Sequence, residues 1–308
     1  MKTLKSILVT GANSGIGLDI CRHIASRGYQ VYATARTATD MEILAKIESV
    51  EPIHLDVTKP KQIEAALTQI TSMNTGLYGL VNNAGLGGLG AFYTWSETEL
   101  KQLFDVNTFG PWRMSNAFLN MLVESKGRIV NIGSQGGMIT QKYFGPYTMT
   151  KHALEAYTEA MRGELEPYGV HVSIVQPGGV VSKIGPNSMP GIIKRLKRAK
   201  PPFKEEADEI LASFEDPPET GEDAPESASN RKPSDPSIVS EAVFHALFSE
   251  YPQDSYLVGT QWEGDRVLNA LLKKLIQANA NPQHNYSRDE LIALMDQHID
   301  QYRSSKQE

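Results

Sequence analysis

Short apolar runs alternate with stretches of helical period along most of the chain. Residues 6–10, SILVT, are apolar and rich in β-formers; the glycine turn GANSGIG follows, and then a helical pattern over 18–26 that closes at Gly28. Further strands are predicted at 29–35, 52–55, 79–82, 128–132 and 171–176. Helices are predicted between them at 62–70 and 97–122, with a long one that begins near Pro146 and leaves at Pro167 and Gly169. Strand and helix in alternation predict an α/β fold, a doubly wound parallel sheet covered on both faces. Ligands of such sheets sit at the carboxyl ends of the strands. No internal repeat is visible.

The pattern changes between residues 184 and 237. IIKRLKRAK is a basic amphipathic patch, which suits a solvated helix face better than an anionic lipid or partner surface. The tract after it is acidic and rich in proline and serine, with one short helix expected near 205–214 in an otherwise poorly ordered insertion. Helical spacing returns at 238–250, strand character at 254–260, and two amphipathic helices are expected at 265–278 and 287–303, the second behind a serine cap. Residues 304–308 should fray. The whole reads as a single domain over 1–308 with an inserted segment at 184–237 and carboxyl-terminal helices.

Bulk properties narrow the function classes. With 308 residues and 40% hydrophobic content the chain can bury a full core. A formal net charge of -6 and a pI near 5.7 offer no global attraction to nucleic acid or anionic membrane. Cys21 is the single cysteine and falls among apolar neighbours, so it reads as a core residue. The seven histidines are scattered without metal-type spacing, so no metal is expected. The apolar stretch at the start is too short for a secretory signal, and no window approaches the roughly 18 apolar residues of a membrane span. A soluble protein of the cytoplasm is the expectation.

Two features carry chemistry. The turn Thr10-Gly11-Ala12-Asn13-Ser14-Gly15-Ile16-Gly17 lacks the Gly-Lys-Ser/Thr ending of a P-loop. Its glycines would let the backbone approach a pyrophosphate at a helix amino terminus, or they mark a plain tight turn. Tyr147 and Lys151 stand four apart at the head of the long helix. Such a pair is common on solvated helix faces. A cation about 4 Å away, however, interacts by roughly 4 kcal/mol at an effective dielectric of about 20, enough to draw a phenol of pKa ~10 toward neutrality. Tyr147 would then serve as a general acid or base.

TGxxxGxG at 10–17, NNAG at 82–85, Asn107, Ser134 at a strand end, Tyr147-xxx-Lys151 and Pro177-Gly178 occur in one order along the chain. In that order and at those spacings the sequence resembles the short-chain dehydrogenase/reductase family, over about 3–182 and again near 256–259. VYATAR and the long-helix stretch look most like the branch that handles hydroxysteroids and retinoid-type alcohols. The resemblance implies a Rossmann-type fold and an oxidoreductase that interconverts an alcohol and its ketone or aldehyde, on a lipophilic substrate. It implies Tyr147 as proton donor or acceptor, Lys151 as its pKa-lowering partner and ribose ligand, Ser134 as a hydrogen-bond donor to the substrate oxygen, and Asn107 as the holder of a water that links Lys151 to solvent. Ser134 would otherwise be a loop cap and Asn107 a helix-kink residue.

The cofactor set that the resemblance implies comprises Thr10, Gly11, Asn13, Ser14, Gly15, Ile16, Gly17, Ala35, Arg36, Asp56, Val57, Asn83, Ala84, Gly85, Tyr147, Lys151, Pro177, Gly178, Val180 and Ser182. Ala35 stands where a carboxylate would favour NAD, and Arg36 follows it, so NADP(H) is favoured. Ser14 removes a second basic residue that some relatives carry, and Ser182 replaces a usual threonine. The insertion stands where family members place a substrate lid. Its residues Ile184, Met189, Ile192, Ile193 and Phe203 either close over a lipophilic substrate or face the core of ordinary helices. Met138, Tyr143 and Phe144 are the nearer candidates for the substrate pocket. Relatives commonly pair through the helices flanking the sheet, so a homo-oligomer is also implied. A cofactor-binding regulator without turnover would need only the nucleotide half, and a sugar-nucleotide epimerase would need a larger carboxyl-terminal region.

Overall fold

The structure, a computed structural model, describes residues 5–215, 225–227, 230–283 and 285–304. Its strands are β1 (Ser6–Val9), β2 (Gln30–Ala35), β3 (Val50–His54), β4 (Gly79–Asn82), β5 (Arg128–Ile132), β6 (His171–Pro177) and β7 (Ser255–Val258). They form one parallel sheet in the order β3-β2-β1-β4-β5-β6-β7. The helices are α1 (Gly15–Ala25), α2 (Ala38–Leu44), α3 (Pro60–Ser72), α4 (Glu97–Phe104), α5 (Gly110–Glu124), α6 (Gly145–Leu165), α7 (Ile184–Lys197), α8 (Lys204–Glu215), α9 (Ser237–Phe248), α10 (Gln261–Asn279) and α11 (Arg288–Ser304). Two compact units divide the chain, Met1–Gly264 and Asp265–Glu308, and the sheet lies wholly in the first.

Strand alternation builds the core of the first unit. Ile7 and Val9 of β1 join Ile20 and Ile24 of α1 and Val243 and Leu247 of α9 in one buried cluster. Leu8, between them, points the other way and joins Ile70 of α3, Met114 and Phe118 of α5 and Met161 of α6. The sheet is therefore buried on both faces, as a parallel sheet requires. Under the strand ends runs a buried polar chain: Asn82 Nδ2 donates to Asn131 Oδ1 at 2.9 Å, and Asn131 Nδ2 donates to Thr158 Oγ1 at 2.8 Å. It fixes β4, β5 and α6 together below the site.

Three local expectations are revised. Helix α2 was not anticipated; it is short, and the Thr37 side chain starts it by accepting from the Asp40 amide at 3.2 Å. The helix expected over 97–122 is two helices, because a π-helical segment, Asp105–Phe109, separates α4 from α5. The inserted segment is more regular than foreseen, since α7 and α8 fill much of it; Ile192 and Leu196 of α7 pack with Ala207 of α8 in a small core of their own. Residues 216–224, 228–229 and 305–308 lie outside the described residues, and with them most of the acidic tract and of the expected frayed tail.

In the second unit α11 has the anticipated serine cap: the Glu290 amide donates to Ser287 Oγ at 3.3 Å and the Ser287 amide donates back to Glu290 Oε2 at 2.7 Å. Among the described residues no helix is long and apolar enough to cross a membrane. No cluster of three or more His, Cys, Asp or Glu side chains among them could hold a metal ion.

Candidate active site

Chain crossovers leave β1 and β4 toward opposite sides of the sheet, and a cleft of about 420 Å³ opens past the strand ends there. Its floor is the turn between β1 and α1. Gly11 at φ +64° and Gly15 at φ +53° occupy left-handed backbone that other residues rarely adopt. A Cβ on Gly17 would collide with the Gly11 carbonyl oxygen and the Asn83 amide. Asn83 Nδ2 locks this turn by donating to the carbonyl oxygens of Thr10 at 2.9 Å and Gly11 at 3.0 Å. Ser14 caps α1 without a side-chain hydrogen bond, so the first-turn amides remain donors for an anion.

Asn13, Ser14, Gly15, Ile16, Ala35, Arg36, Asp56, Val57, Asn83, Ala84 and Gly85 all line the cleft with the glycines. Thr10 does not. It is buried below, where its Oγ1 accepts from the amides of Asn83 at 2.9 Å and Ala84 at 3.0 Å and so joins the ends of β1 and β4. Ala35 is wall, while Arg36 stands exposed at the rim. Burial pushes the Asp56 carboxyl up, but hydrogen bonds from Thr58 and the charges of Arg36 and Lys59 outweigh it and hold the group below its ordinary value. The glycine cradle, the open helix terminus and a cation past β2 fit a dinucleotide phosphate chain.

The same cleft holds Ser134, Tyr147 and Lys151. Ser134 follows β5 and its Oγ accepts from the Gly136 amide at 3.0 Å, leaving its own proton to donate. Pro146 starts α6, which carries Tyr147 and Lys151 one turn apart. Lys151 is 6% exposed, and its Nζ donates to the Ile132 carbonyl oxygen at 2.8 Å. Burial pulls its pKa down to about 8 against the opposing charge of Glu155. Burial also pushes the Tyr147 phenol up, with a hydrogen bond to Ser134 the counteracting influence. The expected lowering of the phenol by the lysine is therefore not produced by the pair alone. Desolvating a phenolate costs more than a weakened ammonium, already engaged with Ile132, returns.

Asn107 lies in the π-helical segment, buried, and does not line the cleft. Its Oδ1 accepts from the Leu86 amide at 2.7 Å, and its Nδ2 donates to the Leu86 carbonyl at 2.9 Å and to Thr150 Oγ1 at 3.1 Å. The side chain thus ties the loop after β4 to α6 at the residue before Lys151. On the opposite wall stand Pro177, Gly178, Val180 and Ser182. Behind them Glu263, fully buried, accepts from the Gly179 amide at 2.7 Å and pairs with Arg231. A Cβ on Gly178 would overlap that carboxylate. Nothing in the sequence pattern singled out Glu263.

At the remaining end the substrate-pocket expectation is corrected. Met138, Tyr143 and Phe144 do not line the cleft; beside Tyr143, Lys142 pairs with Glu206 of α8. Trp95, Glu99, Gln102, Ile184 and Arg195 line it. Of the proposed lid residues, Ile184 faces the cleft, Ile192 is core between α7 and α8, and Phe203 lies 4.2 Å from Tyr93, ring to ring. Arg195 was read as part of a solvated basic face. Its position between Ile192 and Leu196, on the apolar stripe of α7, was the available signal.

The short chain dehydrogenase family model matches residues 5–191. The chain belongs to that family. This short-chain dehydrogenase is 31% identical over 272 residues to the mitochondrial D-beta-hydroxybutyrate dehydrogenase of Rattus norvegicus, covering 82% of this chain and 76% of the relative. It is 33% identical over 261 residues to retinol dehydrogenase 7 of the same organism, covering 83% and 80%. Among solved structures, a short-chain dehydrogenase from Streptomyces avermitilis superposes with a TM-score of 0.73 at 28% identity, over 90% of this chain and 95% of the other. The protein is an oxidoreductase that acts on CH–OH groups with NAD(P), of a family with retinol and hydroxybutyrate dehydrogenases among its members.

Proposed function

We propose that this short-chain dehydrogenase is NADP(H)-dependent and interconverts a lipophilic alcohol with its ketone or aldehyde. The observation that carries the reading is the convergence of Ser134, Tyr147 and Lys151 on a cleft whose other end carries Arg36. The nicotinamide supplies or accepts the hydride. Tyr147 gives its proton to the substrate oxygen in reduction and takes it back in oxidation; the Ser134 hydroxyl donates to that oxygen as charge develops on it. Lys151 holds its ammonium under the loop, fixed by Ile132, and favours the charged form of the phenol whenever it is itself protonated. Asn107 positions Leu86 and Thr150 around that lysine.

Arg36 supports NADP(H), because a guanidinium pairs with a 2′-phosphate and the strand end offers Ala35 where a ribose-binding carboxylate would stand. Ile184 and Trp95 in the cleft support an apolar substrate body. The reading places the enzyme in the cytoplasm, in keeping with its one, buried cysteine, and as a homo-oligomer through the flanking helices, where Trp112 of α5 and Met149 of α6 remain exposed. Turnover of a panel of lipophilic ketones and alcohols with NADPH and NADH, followed by nicotinamide absorbance near ~340 nm, tests it. Absence of turnover with either cofactor, or a clear preference for NADH, would count against it.

A further inference from the structure

Two arginines meet one carboxylate at the substrate end of the cleft. Arg198 Nη2 donates to both Glu99 oxygens at 2.8 Å, and Ser96 adds its amide at 2.9 Å and its hydroxyl at 2.6 Å to Oε2. Glu99 is thereby largely satisfied, and its carboxyl is held at about 2: burial pushes it up, but the Ser96 and Arg198 contacts overcome this. Arg195 is left with the remainder. Its Nη1 reaches Glu99 Oε1 only at 3.4 Å, its Nε donates to the Leu89 carbonyl at 2.9 Å, and Nη2 has no acceptor among the described residues.

Arg195 as a residue is 5% exposed, and it lines the cleft. Trp95 stacks on it at 3.8 Å. Glycines clear its surroundings: a Cβ on Gly191 would lie 3.1 Å from Nη1, and one on Gly88 3.4 Å from Nη2. A buried cation in excess over its counter-charge is costly unless an anion completes it. The free edge of a guanidinium is a planar fork that matches a carboxylate.

Position adds to the argument. A Cβ on Gly85 would lie 4.0 Å from Lys151 Nζ, while Gly88 adjoins Arg195. From Gly85 to Gly88 the backbone spans at most roughly 11 Å. Tyr147 and Arg195 line the same cleft, so a molecule with its reacting oxygen at Tyr147 has the Arg195 guanidinium on the wall of the space that its remainder occupies.

We propose that Arg195 is a substrate-binding residue that takes a carboxylate, so that the substrate is a hydroxy or oxo carboxylic acid with an apolar body. The proposal rests on the reading that this cleft receives the alcohol or carbonyl. Butanoate and hexanoate, with their amides as neutral matches, probe the site by quenching of tryptophan fluorescence, to which Trp95 contributes without any cofactor. The carboxylates should bind at least about tenfold more tightly than the amides in the full chain, and R195M should bring the two within about twofold. Equal affinities in the unmodified protein, or a preference that survives R195M, would overturn the proposal.

Should R195M fail to fold, kcat/KM of the unmodified enzyme decides between an oxo acid and its amide: a ratio of about ten or more in favour of the acid supports the site, and a ratio near one overturns it. Tight carboxylate binding with no turnover of any carbonyl would uphold the anion site and reject the oxidoreductase substrate reading instead.

Discussion

Lys151 Nζ lies 5.9 Å from the centre of the Tyr147 ring while it donates to the Ile132 carbonyl oxygen at 2.8 Å. The lysine is thus anchored to the end of β5, the strand that also delivers Ser134, rather than bonded to the phenol. Its influence on Tyr147 is through space, and it competes with the burial of both groups.

Replacing Tyr147 by Phe removes the proposed proton carrier and leaves the shape of the cleft. Turnover should fall by about 10²–10⁴ or more, the range that a positioned acid or base supplies. NADPH affinity, measured by fluorescence titration, should change less than about threefold, because the glycine turn proposed to bind the phosphates is untouched. Retained activity would remove Tyr147 from its role.

Lys151 links stability to pH. Its pKa falls from 10.5 to about 8 on burial, so between those values the unfolded chain binds the proton more readily than the folded one. Stability due to this group therefore rises as pH increases through the window, and below it the full cost, roughly 3 kcal/mol, persists. Urea denaturation of wild type and Lys151→Met should show the difference between them shifting toward wild type by about that amount from pH 7.5 to 10.5. A pH-independent difference would mean that the ammonium is not held in a desolvated state.

Arg36→Ala tests cofactor choice. Loss of a guanidinium from a 2′-phosphate should raise the Kd for NADPH by about tenfold or more and leave that for NADH within about twofold, given roughly 1.5–3 kcal/mol for a charged hydrogen bond. Equal losses for both cofactors would argue that Arg36 only stacks or shields.

Two glycines separate packing from propensity. Gly17→Ala drives a methyl into the Gly11 carbonyl and the Asn83 amide, so it should cost about 2 kcal/mol or more and abolish cofactor binding. Gly163→Ala, on an exposed turn of α6 with nothing near its Cβ, should instead stabilise by about 0.5–1 kcal/mol with activity intact. Thermal denaturation and kcat/KM on the two variants check both.

The strands of the sheet were legible because each is a short apolar run bounded by turn residues, and the cleft-lining motifs because glycine and polar residues interrupt those runs at the strand ends. What escaped depends on contacts between distant parts of the chain. Glu263 meets Gly179 across 84 residues, a pairing that no local pattern encodes. Arg195 looked solvated because its neighbours Lys194 and Lys197 are charged, although it shares the buried side of α7 with Ile192 and Leu196. The π-helical segment at Asn107 escaped because a one-residue widening of a helix leaves the apolar period nearly unchanged; the demand for it comes from Leu86, to which the Asn107 amide is bonded. Helix α2 is too short to display a period at all.

Glu263 also sets an order of events during synthesis. A ribosome that has released the segments from β1 to β6 has already supplied the serine, the tyrosine and the lysine, yet the Gly179 amide still waits for its carboxylate. Translation must run on through residue 263 before that wall can be pinned, so a nascent chain should carry its reactive side chains for some time in an unfinished cleft. A premature stop codon just short of Glu263 would make that unfinished state permanent.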